Sequence, residues 1–176
     1  KSFVTGTRQV LNYFSKFQKK DGRVKDAPYW EFKDWVNTKG WNNGVAPVGK
    51  DGCSSVLDFQ LLLAYQTASA LEDSLGFKAI ATDYRKKAAL LKKSIIDNYW
   101  DVEKQLFADT REHDLYSQHA NALAILTDVV KGNEAEKLAI RLLRDSTASV
   151  ATIYFKYYLN MALRKAGLGN LYLQQL

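Results

Sequence analysis

The chain has one cysteine, Cys53, two histidines, two prolines and one methionine among its 176 residues. A single cysteine forms no internal disulfide and excludes a cysteine-rich metal site. The histidines, His113 and His119, stand six apart, a poor helical metal pair with no further clustered ligands, so no metal and no cofactor is expected. No phosphate loop, dinucleotide-binding glycine pattern, zinc spacing or nucleophile elbow occurs. Long hydrophobic runs are also missing. The most apolar stretch, "VLDFQLLLAY", is interrupted by polar residues and falls short of a membrane span. Lysine and arginine exceed aspartate and glutamate by 25 to 19, a net charge of +6. The lysines are scattered over several segments, as in "YRKKAALLKK", rather than gathered into a tract with interleaved aromatics. They read as solvated helix faces, not as a nucleic-acid surface.

What the chain does have is helical periodicity and aromatic side chains. Phe3, Val10, Leu11, Phe14 and Phe17 recur at helical spacing from Ser2 to Lys20, and "KKDGR" stops the run. Residues 21–52 then carry both prolines and half the glycines without a sustained period, a loop long enough to suggest a function or a docking role. A second helix opens at "SSVLD", where Ser55 and Asp58 have the spacing of a capping box. Its body is apolar nearly all round, the mark of a helix buried between others. The third helix keeps one apolar stripe, Phe77, Ile80, Ala81, Tyr84, Ala88, Leu91 and Ile95, opposite a basic face.

The alternation repeats. "HANALAILTDVV" is apolar on most sides, "EAEKLAIRLLR" is amphipathic, and "VATIYFKYYLNMAL" is again apolar nearly all round. Buried and half-exposed helices in turn imply two concentric layers, as in a toroid of helical hairpins or an α-solenoid. Each inner helix passes to its outer partner through a short turn at Gly76, Gly132 or Gly167, whereas long loops collect on the face where inner helices begin. Loops held by a rigid scaffold carry function, so a site is expected on that face. The chain opens without a methionine and closes inside an amphipathic segment, "GNLYLQQL", which reads as a piece of something longer.

Three of the four tryptophans sit in one stretch of that long loop, "DAPYWEFKDWVNTKGWNNG". Glu31, Asp34, Asp101, Glu103, Asp109, Glu112 and Asp114 all lie in or beside the two long loops, accompanied by Trp30, Trp35, Trp41 and Trp100. A sugar offers apolar C–H faces and a rim of hydroxyls, which indoles and carboxylates match. Loop carboxylates that cap helices and tryptophans that fill a core are the competing explanation. "YWDVEKQLFADT" has the pattern of a helix exit followed by a short extended pair with Asp101 and Asp109 at its bends. Gln118 and His119 fall in the first turn of an inner helix.

"WEFKDW" with the glycine-rich loop after it, "SSVLDFQLLLAYQTASAL", and "LFADT" leading to "YSQHANALAIL" together resemble the catalytic domain of bacterial α-L-rhamnosidases. These are inverting glycoside hydrolases built on an (α/α) six-hairpin toroid. The resemblance runs over essentially the whole chain and implies an all-α fold, a partial six-hairpin toroid with residues 1–176 as a fragment of one catalytic domain. It implies a rhamnose-containing glycan or glycoside as partner, no cofactor, and a bacterial periplasmic or cytoplasmic setting. Neither catalytic glutamate motif of the family is present; the two would fall before Lys1 and beyond Leu176. What carries over is the "DW" pair, Asp34 and Trp35, as pocket wall with Trp30 beside it. Trp41 and His119 complete the candidate substrate-binding set. Another toroid glycosidase or polysaccharide lyase, and a helical-repeat module holding a peptide, are the alternatives.

Overall fold

The computed structural model describes residues 2–171, and the end of "GNLYLQQL" lies outside them. Among the described residues six helices follow one another: α1 (Ser2–Ser15), α2 (Ser55–Ser74), α3 (Lys78–Tyr99), α4 (Gln118–Leu126), α5 (Asn133–Arg144) and α6 (Ile153–Lys165). Between α3 and α4 runs a small antiparallel hairpin, β1 (Trp100–Asp101) paired with β2 (Leu106–Phe107). It is the extended pair expected after the third helix.

Layering follows from how much of each helix is apolar. α4 is buried from Gln118 to Ile125, while α5 buries only Ala135, Leu138, Ala139 and Leu142, one stripe at helical spacing. α3 likewise buries Ala81, Tyr84, Ala88, Leu91 and Ile95 and keeps its lysines outside. α4 packs against both α2 and α6, whereas α3 packs on α2 and α5 on α4. The result is an all-α arc with α2, α4 and α6 as its inner layer and α3 and α5 outside.

The inner helices stop by one device. After α2, Gly76 adopts φ +85° and donates its N–H to Asp73 O, while Phe77 donates to Glu72 O. After α6, Gly167 and Leu168 repeat the pattern onto Arg164 and Leu163. Such paired bonds satisfy the last carbonyls and need a left-handed residue, which glycine supplies without steric cost. α4 does the same with Asp128 at φ +56°, so it ends at Leu126, earlier than its apolar pattern predicts, and Gly132 instead precedes α5.

Three other expectations change. α1 stops at Ser15, and residues 16–20 form a turn whose Gln18 pairs with Val24. The capping box does not form: Ser54 is the N-cap, with no side-chain cap bond, and Asp58 turns inward. Its carboxylate accepts from Val24 N at 2.8 Å and from the Tyr99 hydroxyl at 2.7 Å, tying the long loop to α2 and α3. Burial pushes that carboxyl up to about 7. Beside it the buried Arg23 donates to Asp21 and Asp51, so the loop is anchored by ionic and polar bonds at its root. α6 is the third. It buries Phe155, Leu159, Ala162 and Leu163 but leaves Ile153, Tyr154, Tyr157, Tyr158 and Met161 exposed. At the other end of the arc Phe3 is 89% exposed and Val10 stands beside it in solvent. Apolar side chains are therefore exposed on α1 and on α6 alike.

Candidate functional site

No helix forms between Ser15 and Ser55. The loop instead folds back on itself through isolated pairings, Phe32 and Asn42 both opposite Val45. Gly44 makes the return possible: its carbonyl accepts from Lys33 N at 2.7 Å, and its φ is +77°. A Cβ there would lie 2.5 Å from the Phe32 ring. Gly44→Ala should therefore push that ring out of place and cost about 1–3 kcal/mol, read as a lowered melting temperature together with altered tryptophan emission.

The ring in question is the hub of an aromatic cluster. Phe32 lies 4.8 Å from Trp35, 5.3 Å from Trp30 and 5.4 Å from Tyr154 at the start of α6, centroid to centroid. Trp30 is fixed by a 2.8 Å bond from Nε1 to Asn43 O. Trp35 and Trp30 are 65% and 62% exposed, so this packing holds two indoles at the surface rather than hiding them. Next to them Glu31 and Lys33 face each other at 3.7 Å. Burial raises the Glu31 carboxyl and lowers the Lys33 ammonium, each shift reduced by the other group.

Beneath the cluster lies Asp34, fully buried. Its Oδ1 accepts from Trp35 N at 2.9 Å and from the Thr152 hydroxyl; its Oδ2 accepts from Thr152 N at 2.8 Å and from His119 Nε2 at 2.7 Å. Burial alone would raise this carboxyl, but bonds from His119 and Thr152 outweigh it and hold the group below the usual carboxylate range. His119 moves the other way. Its ring lies 4.5 Å from Trp41 and 4.3 Å from Phe155, and burial among those rings lowers it despite Asp34. A neutral imidazole with Nε2–H donating to an ionised Asp34 satisfies both shifts, and leaves Nδ1 buried without a hydrogen-bond partner.

The five residues singled out in the sequence thus come together in two levels. Trp30 and Trp35 are at the surface; Asp34, His119 and Trp41 are below it. Asp34 and His119 expose no surface to a ligand in this structure, so their share is to fasten the loop to the first turns of α4 and α6. Thr152, the N-cap of α6, and Phe155 were not singled out, although a threonine before an apolar run is a helix-start signal.

Two other loop carboxylates are separately engaged. Asp101 accepts the Glu103 and Lys104 amides and the Tyr116 hydroxyl, and Glu112 accepts Lys50 N at 3.1 Å. His113 Nε2 lies 3.0 Å from Asn98 O, far from a ligand role. Among the described residues no three His, Cys, Asp or Glu side chains are grouped to hold a metal, and no helix is long and apolar enough to cross a membrane.

Asp109 is different. It is fully buried, Oδ1 accepts from Ser117 Oγ at 2.6 Å, and Oδ2 has no partner. Burial pushes it up to about 7, with Ser117 opposing only in part. A folded pKa above the unfolded one favours the protonated native state. The stabilisation is complete below about pH 4 and is lost as pH rises through about 7, a swing of at most about 4 kcal/mol. Asp109→Asn should remove this dependence, gaining stability over wild type at pH 8 and little at pH 4. Parallel melting curves of the two proteins across that range would show the expectation to be wrong.

Among solved structures, the chain matches the GH78 family rhamnosidase of Bacillus sp. GL1 with a TM-score of 0.81 at 20% identity, covering 99% of this chain and 18% of that one. It matches a rhamnosidase from Klebsiella oxytoca with rhamnose bound equally well, with a TM-score of 0.81 at 19% identity, covering 99% of this chain and 32% of that one. No protein-family model and no curated protein sequence matches the chain. The chain therefore has the fold of a segment of these rhamnosidases, spanning less than a third of either.

Proposed function

We propose that this chain is part of the catalytic domain of an α-L-rhamnosidase-like glycoside hydrolase that removes terminal rhamnose with inversion. Its share is the sugar-facing wall of a six-hairpin toroid. The observation that carries this is the pair of surface indoles, Trp30 and Trp35, held by Phe32 and Asp34 on the face where α4 and α6 begin. Likeness in fold to two rhamnosidases, one with rhamnose bound, supports the choice of sugar. An indole face stacks on the apolar side of a sugar ring. Asp34 and His119 act on that wall from behind, by fixing the backbone that carries Trp35.

In the whole enzyme, two carboxyl groups about 6.5–9.5 Å apart would leave room for a water attacking the anomeric carbon opposite the leaving group. Neither catalytic glutamate belongs to this chain on the resemblance described above. The test is a panel of nitrophenyl glycosides offered to the full-length protein, with the product anomer followed by NMR. Rhamnoside turnover with inverted product is expected from the full-length protein, and none from the 176-residue chain alone, since loss of a catalytic acid or base costs orders of magnitude. Turnover of a different glycoside only, or eliminated unsaturated products, would assign the wall to another sugar.

A further inference from the structure

Three Asx–Gly pairs occur in the chain: Asp21–Gly22, Asn43–Gly44 and Asp51–Gly52. Each places a side-chain carbonyl carbon next to a backbone nitrogen that no following side chain shields, because glycine has no Cβ. Two of the three are chemically quiet. Asp21 and Asp51 accept from the buried Arg23 at 2.9 and 2.7 Å, and an ionised carboxylate resists attack at its carbon. Asn43 differs from both. It is exposed, and its neutral carboxamide is bonded to no other described residue.

Asn43 and Gly44 form the two-residue tip of a tight return. Val45 N donates to Asn42 O at 2.9 Å and Asn42 N to Val45 O at 3.2 Å, with Asn43 at φ +49° and Gly44 at φ +77°, the left-handed conformations of an Asn–Gly hairpin turn. Gly44 is buried against the Phe32 ring, so its nitrogen is reached when this short turn opens. Opening at a loop tip is a low-cost event.

The same tip holds the aromatic cluster. Asn43 O accepts from Trp30 Nε1 at 2.8 Å, and Gly44 O accepts from Lys33 N at 2.7 Å and Asp34 N at 3.3 Å. Any change in the covalent path between residues 43 and 44 therefore acts first on Trp30.

We infer that Asn43 is a site of spontaneous deamidation and isoaspartate formation, and that this modification unseats the Trp30 indole. Gly44 N gives up its proton and bonds to Asn43 Cγ; the Cγ–Nδ2 bond breaks, and ammonia leaves with that proton. Water then opens the five-membered imide. Opening at Cγ restores the original backbone with an aspartate side chain. Opening at the α-carbonyl leaves the chain running through Cβ and Cγ, one atom longer, and turns the carbonyl that held Trp30 into a free carboxylate.

The experiment holds the native full-length protein in mildly alkaline buffer beside an Asn43→Gly variant, whose glycine accepts the same φ and has no carboxamide. Digests are followed by mass spectrometry. In wild type the peptide containing residue 43 should gain about 1 Da, sooner than any other asparagine-containing peptide, and should accept methyl groups from an isoaspartyl methyltransferase. Tryptophan emission should shift in step with that labelling, while the variant keeps both its mass at this peptide and its emission. If the native protein stays unmodified at residue 43 while the urea-unfolded protein is modified, the turn does not open and the inference is overturned. Isoaspartate without a change in emission would overturn the effect on Trp30. None of these readouts requires rhamnoside turnover, so the proposed function stands or falls separately.

Discussion

Asp34→Ala is expected to destabilise the protein by about 3–5 kcal/mol. The carboxylate accepts four bonds from three places in the fold: Trp35 N in the aromatic loop, His119 in the first turn of α4, and Thr152 N and Oγ1 at the start of α6. Removing it leaves those donors facing an enclosed space. Each buried donor left without an acceptor costs about 1–3 kcal/mol, less whatever entering water recovers. The ionic part acts in the same direction. Because the folded pKa of Asp34 is depressed, its contribution is present above the ordinary carboxylate pKa and is lost as pH falls through the lower folded value. Asp34→Asn keeps one acceptor and should cost less, about 2 kcal/mol, with His119 free to exchange its tautomer. Melting both variants at neutral pH tests this. An Ala variant within about 1 kcal/mol of wild type would mean the clamp does not hold the loop.

Much of the architecture is legible in the residue pattern, because burial and periodicity are directly linked. α4 is apolar on most sides and becomes an inner helix, while α5 carries one stripe and stays outside. Gly76 and Gly167 mark real helix ends because only a left-handed residue closes those turns. Asp128 serves the same purpose with no comparable signal, and so the end of α4 is misplaced by pattern alone. Asp58 shows the converse: its spacing from Ser55 fits a cap, but Val24 and Tyr99 offer it tertiary donors that no local rule contains.

The candidate site divides the same way. A dense aromatic stretch without a helical period points to the loop, and Trp30 and Trp35 do reach the surface there. That Trp41 would pack beneath them on His119, and that Asp34 would spend its oxygens on Thr152, depends on contacts between residues 78 and 118 positions apart.

The central claim is that the Trp35 indole is a sugar-facing wall, and the direct test is Trp35→Ala in the full-length protein, with melting temperature and kcat/KM on nitrophenyl rhamnoside measured on one preparation. The ring is 65% exposed in this chain, so its loss should cost little stability, about 1 kcal/mol or less. Transition-state binding should suffer instead, by about tenfold to a hundredfold in kcat/KM, equivalent to about 1.4–2.7 kcal/mol. A melting temperature lowered to the extent of a lost core aromatic, about 3–5 kcal/mol, or unchanged kinetics in a stable protein, would contradict the account.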